Sequence, residues 1–589
     1  MIAARRLIQY SNSMLIHKSA RVICGGLLLL ACSQILAQTA TLQINGAEQA
    51  LADNIRAHVR LNGLSCTASQ SRMTNMLPQI RQQVVRASRA LGYYQLRHRV
   101  FGSREEDCWR INVEVEPGTP VTVADVQIEI VGNEPVFRSV LEDVPLVAGQ
   151  QLNQDNYEQI KGDLNSLAVE EGYFDARLTN SELQLDLVAN TAAARIEFDP
   201  GERYRFGEFN IQGYEVLGAD FIRRYVDVEP GDYFSSSALL SIRQALTESL
   251  YFRNVMVSPD HDQAADNQIP VDINLAMRPR QAFTLGGGAT TDIGPRVRAD
   301  FQNRYLNEGG HRFGVNSSVS PVQQQLDFGY EIPLADPRTQ RLEFSLGVLG
   351  EQVDAFETRT DKLGASYTFI DRFEWRRVYS LNFQHDEFEL NNQGKESSDL
   401  LIPAVSLSRT VADDTLYPSR GWRLFAELQG AHETFISTDT FLQLNVVGKI
   451  IETIGPGRVI LKMQAGSTWV DQAQDLPVSL QYFTGGDQSV RGYKYQSLGP
   501  INEQGEVIGG KYLLAAGVEY DFNILPNWKL ALFTDAGNSF NDFSEYELKQ
   551  SAGIGVRWMS PIGPIRLDLA RALDDDEDFR IHLTMGPDL

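Results

Sequence analysis

Arg341-Leu342-Glu343-Phe344-Ser345-Leu346-Gly347-Val348 alternates without a break, with leucine, phenylalanine and valine on one face and glutamate, serine and glycine on the other. A period of two belongs to a β-strand whose faces meet different surroundings. The pattern recurs. Leu442, Leu444 and Val446 alternate with Gln443 and Asn445. Ile565, Leu567 and Leu569 alternate with Arg566, Asp568 and Ala570. Phe579, Ile581, Leu583 and Met585 alternate with Arg580, His582 and Thr584. About sixteen such runs follow residue 281, an even number that suits a transmembrane barrel with lipid outside and a polar lumen inside. A soluble sandwich buries its apolar face against a second sheet and shows the same alternation. The polar loops and the export signal favour the barrel.

From about residue 40 to 277 the pattern is different. Gly92-Tyr93-Tyr94-Gln95-Leu96, Gly172-Tyr173-Phe174-Asp175-Ala176 and Leu250-Tyr251-Phe252-Arg253-Asn254 recur at steps of 80 and 78 residues. Each copy follows an amphipathic helical run. The runs carry Ile80, Val84, Ala87 and Leu91, then Tyr157, Ile160, Leu164 and Leu167, then Leu239, Ile242, Leu246 and Leu250. Pro78 suits the first turn of the first of these helices. Strand-like runs follow, two of them closing on Pro117-Gly118 and Pro200-Gly201. The repeat predicts three tandem α+β units of strand, two helices and two strands, an extended arm for holding partners.

The chain carries 76 acidic and 53 basic residues, a net charge of −23, which argues against a nucleic-acid partner. Lys18 and Arg21 precede an apolar run from Val22 to Leu36, with Ala37 at its end. Residues 1–37 therefore read as a secretory signal. A lipoprotein signal with Leu29-Leu30-Ala31-Cys32 as lipobox ranks second. No later apolar run reaches the ~18 residues of a membrane helix. With Cys24 and Cys32 in the signal, Cys66 and Cys108 remain, a pair that an exported chain is expected to join as a disulfide, with two buried thiols as the alternative. No Cys/His spacing suits zinc, and neither a serine elbow nor a phosphate loop is present. The expectation is no enzyme, no metal and no cofactor.

One long polar loop, about residues 471–510, interrupts the strands. Loops of that length in a compact domain usually have a function. It contains Phe483-Thr484-Gly485-Gly486-Asp487-Gln488-Ser489-Val490-Arg491-Gly492-Tyr493. Its one arginine, if buried, requires carboxylates.

These residues, taken together, resemble the BamA/TamA superfamily of outer-membrane assembly proteins. Val490-Arg491-Gly492-Tyr493 is similar to the signature of the loop that folds back into the barrel. Phe533-Thr534-Asp535-Ala536-Gly537 is similar to the superfamily's Phe-x-Asp-x-Gly strand. Gly553-Ile554-Gly555-Val556-Arg557-Trp558 and Ser560-Pro561-Ile562-Gly563-Pro564-Ile565-Arg566-Leu567-Asp568 resemble its penultimate hairpin, and Asp414 through Pro418 to Gly421 one of its turns. Three repeat units and the ending Met585-Gly586-Pro587-Asp588-Leu589 resemble the TamA type most.

The resemblance implies a signal peptide (1–37) and three POTRA domains (38–119, 120–201 and 202–278). A 16-stranded antiparallel transmembrane β-barrel (279–589) follows, with the 471–510 loop folded inward. It implies no covalent catalysis. The chain would help insert or export β-barrel-type substrates such as autotransporters, through a lateral seam between the first and last strands. Gly286, Gly287 and Gly288 in the first strand, and Gly586 before Pro587 after the last, mark that seam. Arg491, with Val490, Gly492 and Tyr493, would latch onto Asp535 and Glu519 in the lumen, beside Phe533 and Gly537. The implied partners are a TamB-like protein anchored in the inner membrane and docked on the arm, unfolded outer-membrane substrates, and outer-membrane lipid. The implied location is the outer membrane of a Gram-negative bacterium, with the arm in the periplasm. The alternative is a two-partner secretion transporter for one dedicated substrate. A passive porin or receptor ranks lower because it needs no arm.

Overall fold

The computed structural model describes residues 39–61, 64–105, 107–133, 135–391, 394–561, 563–574 and 579–586. The expected export signal, its alternative reading as a lipobox at Cys32, and the last three residues lie outside them. The chain divides into two compact units. One runs to Arg205 and includes Tyr233–Ser236; the other comprises Phe206–Asp232 and the chain from Ser237 onward.

The first unit holds two small mixed sheets. In the first sheet β1 (Thr41–Asn45) pairs in parallel with β3 (Cys108–Glu116), and β2 (Arg97–Glu105) joins β3 antiparallel. Helices Gln49–His58 and Gln70–Ala90 bury Leu51, Ile55, Ile80, Val84 and Ala87 against Ile111 and Val113. The Cys66–Cys108 disulfide ties the segment ahead of the long helix to the start of β3. That helix begins at Ser69, whose hydroxyl accepts the Arg72 N–H at 3.3 Å. Pro78 therefore sits in the helix interior, not in its first turn. An interior proline costs about 3 kcal/mol. The Ser69 cap and buried Met73, on the same face as Ile80, extend the helix upstream past it.

The second sheet repeats the plan. β4 (Thr122–Ile130) and β5 (Arg177–Asp186) flank β6 (Thr191–Asp199), and helix Gln154–Glu170 packs Tyr157, Ile160, Leu164 and Ala168 with Ile196 and Phe198. The repeated Gly-Tyr follows the helix in both units. Gly92 and Gly172 sit at φ +81° and +84°, a region that L-residues with a Cβ rarely enter. At Gly172 a Cβ would also lie 2.8 Å from that of Phe234. Leu250 takes the same left-handed turn in the third copy, at φ +66°. Two substitutions ten residues apart should therefore have opposite signs. Gly162→Ala, in an open stretch of the helix, should stabilise the unit by about 1 kcal/mol. Gly172→Ala should destabilise it by at least ~1–2 kcal/mol. Hydrogen exchange of β6 amides in the full chain reads both, and equal signs would refute the account.

In the second unit β7 (Arg205–Gln212) and β8 (Phe252–Pro259) flank β9 (Gln268–Met277) in a third sheet of the same order. Sixteen antiparallel strands follow in sequence order, from β10 (Gln281–Thr290) to β25 (Arg580–Met585). Tyr251, at the third repeat, donates its hydroxyl to the Gly310 carbonyl and accepts from Arg312 Nε at 2.9 Å, which fixes the third sheet to the barrel end it leads into. The alternation works as its pattern predicts. Phe344 and Leu346 remain about half exposed on the outside, as lipid-facing residues of a barrel do. Asp568 and His582 turn inward and are buried.

The 471–510 segment is less irregular than its composition suggests. Short 3-10 turns at Ala473–Asp475 and Val478–Leu480 and bridges Tyr482↔Gly510 and Thr484↔Leu498 give it shape. Leu476 and Leu480 pack on Leu400, Ile402 and Phe441 of the barrel wall. The loop is an inward plug with its own apolar anchor.

Candidate functional site

The site lies where the inward loop meets β20 (Gly457–Trp469), β21 (Tyr512–Leu525), β22 (Trp528–Phe540), β23 (Lys549–Ser560), β24 (Gly563–Ala572) and β25. The registers bring inward-facing residues level. Lys462 pairs with Gly517, Gly517 with Asp535, Gly555 with Asp568, and Asp568 with His582. Charges far apart in sequence thus form one patch on the lumen wall.

Arg491 enters this patch and is 5% exposed. Its Nε and Nη2 donate to the two Asp535 oxygens at 2.7 and 3.1 Å, and its backbone N–H also reaches Asp535. Nη1 donates to Glu519 at 2.8 Å and to Asp568 at 3.0 Å. The guanidinium lies over the Phe533 ring at 3.5 Å from its centroid. All three nitrogens of the fork are engaged, the geometry that separates arginine from lysine. Val490 and Tyr493 pack with Leu498, Ala515 and Ala572. Gly492 sits at φ +97°, where a Cβ would crowd the Arg571–Ala572 backbone. Gly537 is needed for another reason: its backbone lies against Ala515 of the neighbouring strand, with Cα 2.5 Å from where a Cβ would stand.

Three further charges were not singled out from the sequence. Arg557 donates to Glu519 at 2.8 and 3.0 Å and to Asp568. Lys462 reaches Asp535 at 3.2 Å and the Ser489 carbonyl at 3.0 Å. Arg491, Arg557 and Lys462 thus face Glu519, Asp535 and Asp568, three cations against three carboxylates in a poorly solvated place. Such a network holds only when it is complete, because each group left over is a buried charge.

The seam lies beside it. Among the described residues no ladder joins β10 to β25. Thr291, in the first hairpin turn, bridges them: its N–H donates to the Leu583 carbonyl at 3.3 Å and its hydroxyl oxygen accepts the Leu583 N–H at 3.0 Å. The inward loop braces the same place. Thr291 Oγ1 donates to Asp487 at 2.9 Å, the Asp487 N–H donates to Asp292 at 2.8 Å, and His582 Nε2 accepts the Gly492 N–H at 2.8 Å. Burial and the neighbouring Asp487 carboxylate push the Asp292 carboxyl up to about 7. At Gly286 and Gly288 an added Cβ would meet nothing within 4 Å. These glycines therefore do not relieve crowding; they leave an edge strand pliable. Gly586, at φ +137°, ends β25, and its N–H donates to the Pro564 carbonyl at 3.1 Å.

Comparisons with known proteins agree with this layout. The Omp85 superfamily domain matches residues 306–588, and the POTRA domain called TamA domain 1 matches residues 41–117. The outer membrane protein assembly factor BamA of Nitratidesulfovibrio vulgaris is 23% identical over 398 residues, covering 63% of this chain and 49% of that protein. BamA of Neisseria meningitidis serogroup B is 22% identical over 555 residues, covering 81% of this chain and 68% of that protein. The chain spans about half the length of the first two curated relatives it matches. The crystal structure of Haemophilus ducreyi BamA lacking POTRA domains 1–3 shares the fold, with a TM-score of 0.66 at 16% identity over 79% of this chain and 99% of that one. The chain thus carries a match to an Omp85 superfamily domain across most of its barrel and a match to a TamA-type POTRA domain ahead of it.

Proposed function

We propose that this protein is an outer-membrane assembly factor of the TamA type. It receives unfolded β-barrel substrates, autotransporters among them, and passes them into or across the membrane at its seam. The three small sheets act as POTRA domains in the periplasm and dock a TamB-like partner anchored in the inner membrane. Exposed sheet edges such as those of β2, β5 and β8 are suited to accept a partner strand.

The observation that carries this reading is the seam. A strand entering the bilayer bare exposes unpaired N–H and C=O groups, each costing several kcal/mol (roughly) in hydrocarbon. An edge that opens supplies partners for them. Here the edge strand β25 is short, with its ladder to β24 running from Ala570↔Arg580 to Ile565↔Met585. On the other side, β10 holds three glycines and exposes Phe283 and Leu285.

The test is a disulfide staple. Thr291→Cys with Leu583→Cys bridges the two positions that already touch. The stapled protein should fail to assemble a barrel substrate in proteoliposomes, and reduction should restore activity. Full activity with the staple closed would overturn the seam mechanism.

A further inference from the structure

We propose that Asp292, Asp487 and His582 form a binding site for a divalent transition-metal ion of the zinc type, which pins the seam. One ligand atom from each of the three lies within 4.8 Å of the others. They come from three elements that meet only at the seam: the first hairpin turn, the inward loop and the last strand. No spacing in the sequence brings them together. The site stands on this geometry and is independent of what passes through the barrel.

The second observation is an orphaned oxygen. Asp487 is 8% exposed. Its Oδ1 is engaged by Thr291 and His582 Nδ1. Its Oδ2 is buried and, among the described residues, accepts no N–H or hydroxyl. Buried carboxylate oxygens are nearly always paired, and an exception calls for an explanation such as an ion. Asp292 approaches the same place, with Oδ2 accepting the Asp487 N–H. Two carboxylates crowded at one half-dry point repel each other, and a cation between them reverses that term.

The donor set selects the metal class. One imidazole nitrogen with two carboxylate oxygens suits zinc or its first-row neighbours. Calcium and magnesium take oxygen ligands almost exclusively. Bonds of about 2.0–2.2 Å place tetrahedral ligand atoms roughly 3.4 Å apart. Ligand atoms now up to 4.8 Å apart would therefore close in by up to about 1.4 Å on loading. A cavity of about 500 Å³, lined by Asp292 and His582 but not by Asp487, opens beside two of the three ligands. Arg580, in the same lining, offsets part of the Asp292 charge, whereas Lys494 is paired with Asp354.

Loading also changes the histidine. Nε2 accepts from Gly492, so the ring proton sits on Nδ1, facing Asp487. A metal on Nδ1 takes the place of that proton. The neutral ring then carries its proton on Nε2, and the Gly492 hydrogen bond is given up. Occupied, the site exchanges a loop-backbone contact for coordinate bonds that join hairpin, loop and last strand directly.

The experiment uses the full chain in detergent, stripped with a chelator and titrated with Zn²⁺ alone. One Zn²⁺ per chain should bind. Asp292→Asn and His582→Gln should each weaken binding more than roughly tenfold. X-ray absorption on the zinc-loaded wild type should show a first shell of one nitrogen with oxygens. This last measurement needs no variant and stands if either substitution fails to fold. Absence of stoichiometric binding, binding unaltered in both folded variants, or a shell of several imidazoles would each overturn the site.

Discussion

Arg491→Ala is expected to remove most assembly activity and to lower the barrel's resistance to heat, while the sixteen strands still close. The substitution deletes one cation from a patch of three against three. Asp535 keeps Lys462 and the backbone N–H of position 491, and Glu519 and Asp568 are left to share Arg557. Removing one member of a buried ion pair costs about 3–5 kcal/mol, mostly because the remaining charge stays buried. The barrel survives because its ladders do not run through Arg491. The loop, however, loses its central attachment to the wall, and with it the brace that carries Asp487 and Gly492 to the seam. Arg491→Lys should be impaired nearly as much, because one ammonium cannot reach three carboxylates along fixed directions. Adding Asp568→Asn to Arg491→Ala should recover part of the stability, because the excess carboxylate goes and Asp535 and Glu519 each keep one cation, but not the activity. Heat-modifiability on semi-native gels reads the first effect, and substrate insertion at matched protein levels the second. Wild-type insertion by Arg491→Ala would remove the latch from the mechanism.

The barrel was legible because strand alternation is local: two neighbours decide which face a residue takes. Leu567 outward and Asp568 inward followed from their own strand. Which inward residues stand level with one another did not follow, because that depends on the stagger between strands. Asp568 belongs to an alternating run and Arg557 to a motif, yet their meeting with Arg491 rests on registers such as Gly555↔Asp568 that no single strand encodes. The partners Asp535 and Glu519 came from resemblance, not from the residues alone. His582 was readable as inward-facing but not as a ligand of the Gly492 N–H, across ninety positions. Pro78 shows the opposite limit. By itself a proline is a start signal, while a serine cap nine residues earlier, with Met73 behind it, sets the true start. The loop's polarity concealed Leu476 and Leu480, two residues sufficient to anchor it against the wall.

A single methyl group should have nearly as large an effect as a lost charge if it is placed at Gly555. This residue pairs with Asp568 on one side and Ala531 on the other. A Cβ built there falls on the Asp568 carboxylate and on the Arg557 guanidinium. The backbone cannot yield, because ladders hold it on both sides. Gly555→Ala must therefore push Asp568 or Arg557 out of place, and the displaced group breaks at least two ion pairs of the patch. The cost should reach several kcal/mol, on the order of 3, with insertion falling in parallel. Gly448→Ala is the control on β19 (Phe441–Ile454): nothing lies within 4 Å of its Cβ. There alanine should be neutral or slightly stabilising, since glycine weakens a strand interior. A Gly555→Ala barrel that melts with wild type would mean the patch can repack around a methyl, and that its charges are held less tightly than their distances imply. A melt lowered at Gly555 and unchanged at Gly448 would locate the rigidity in the charged patch, since both glycines share the same kind of strand and differ in what stands opposite.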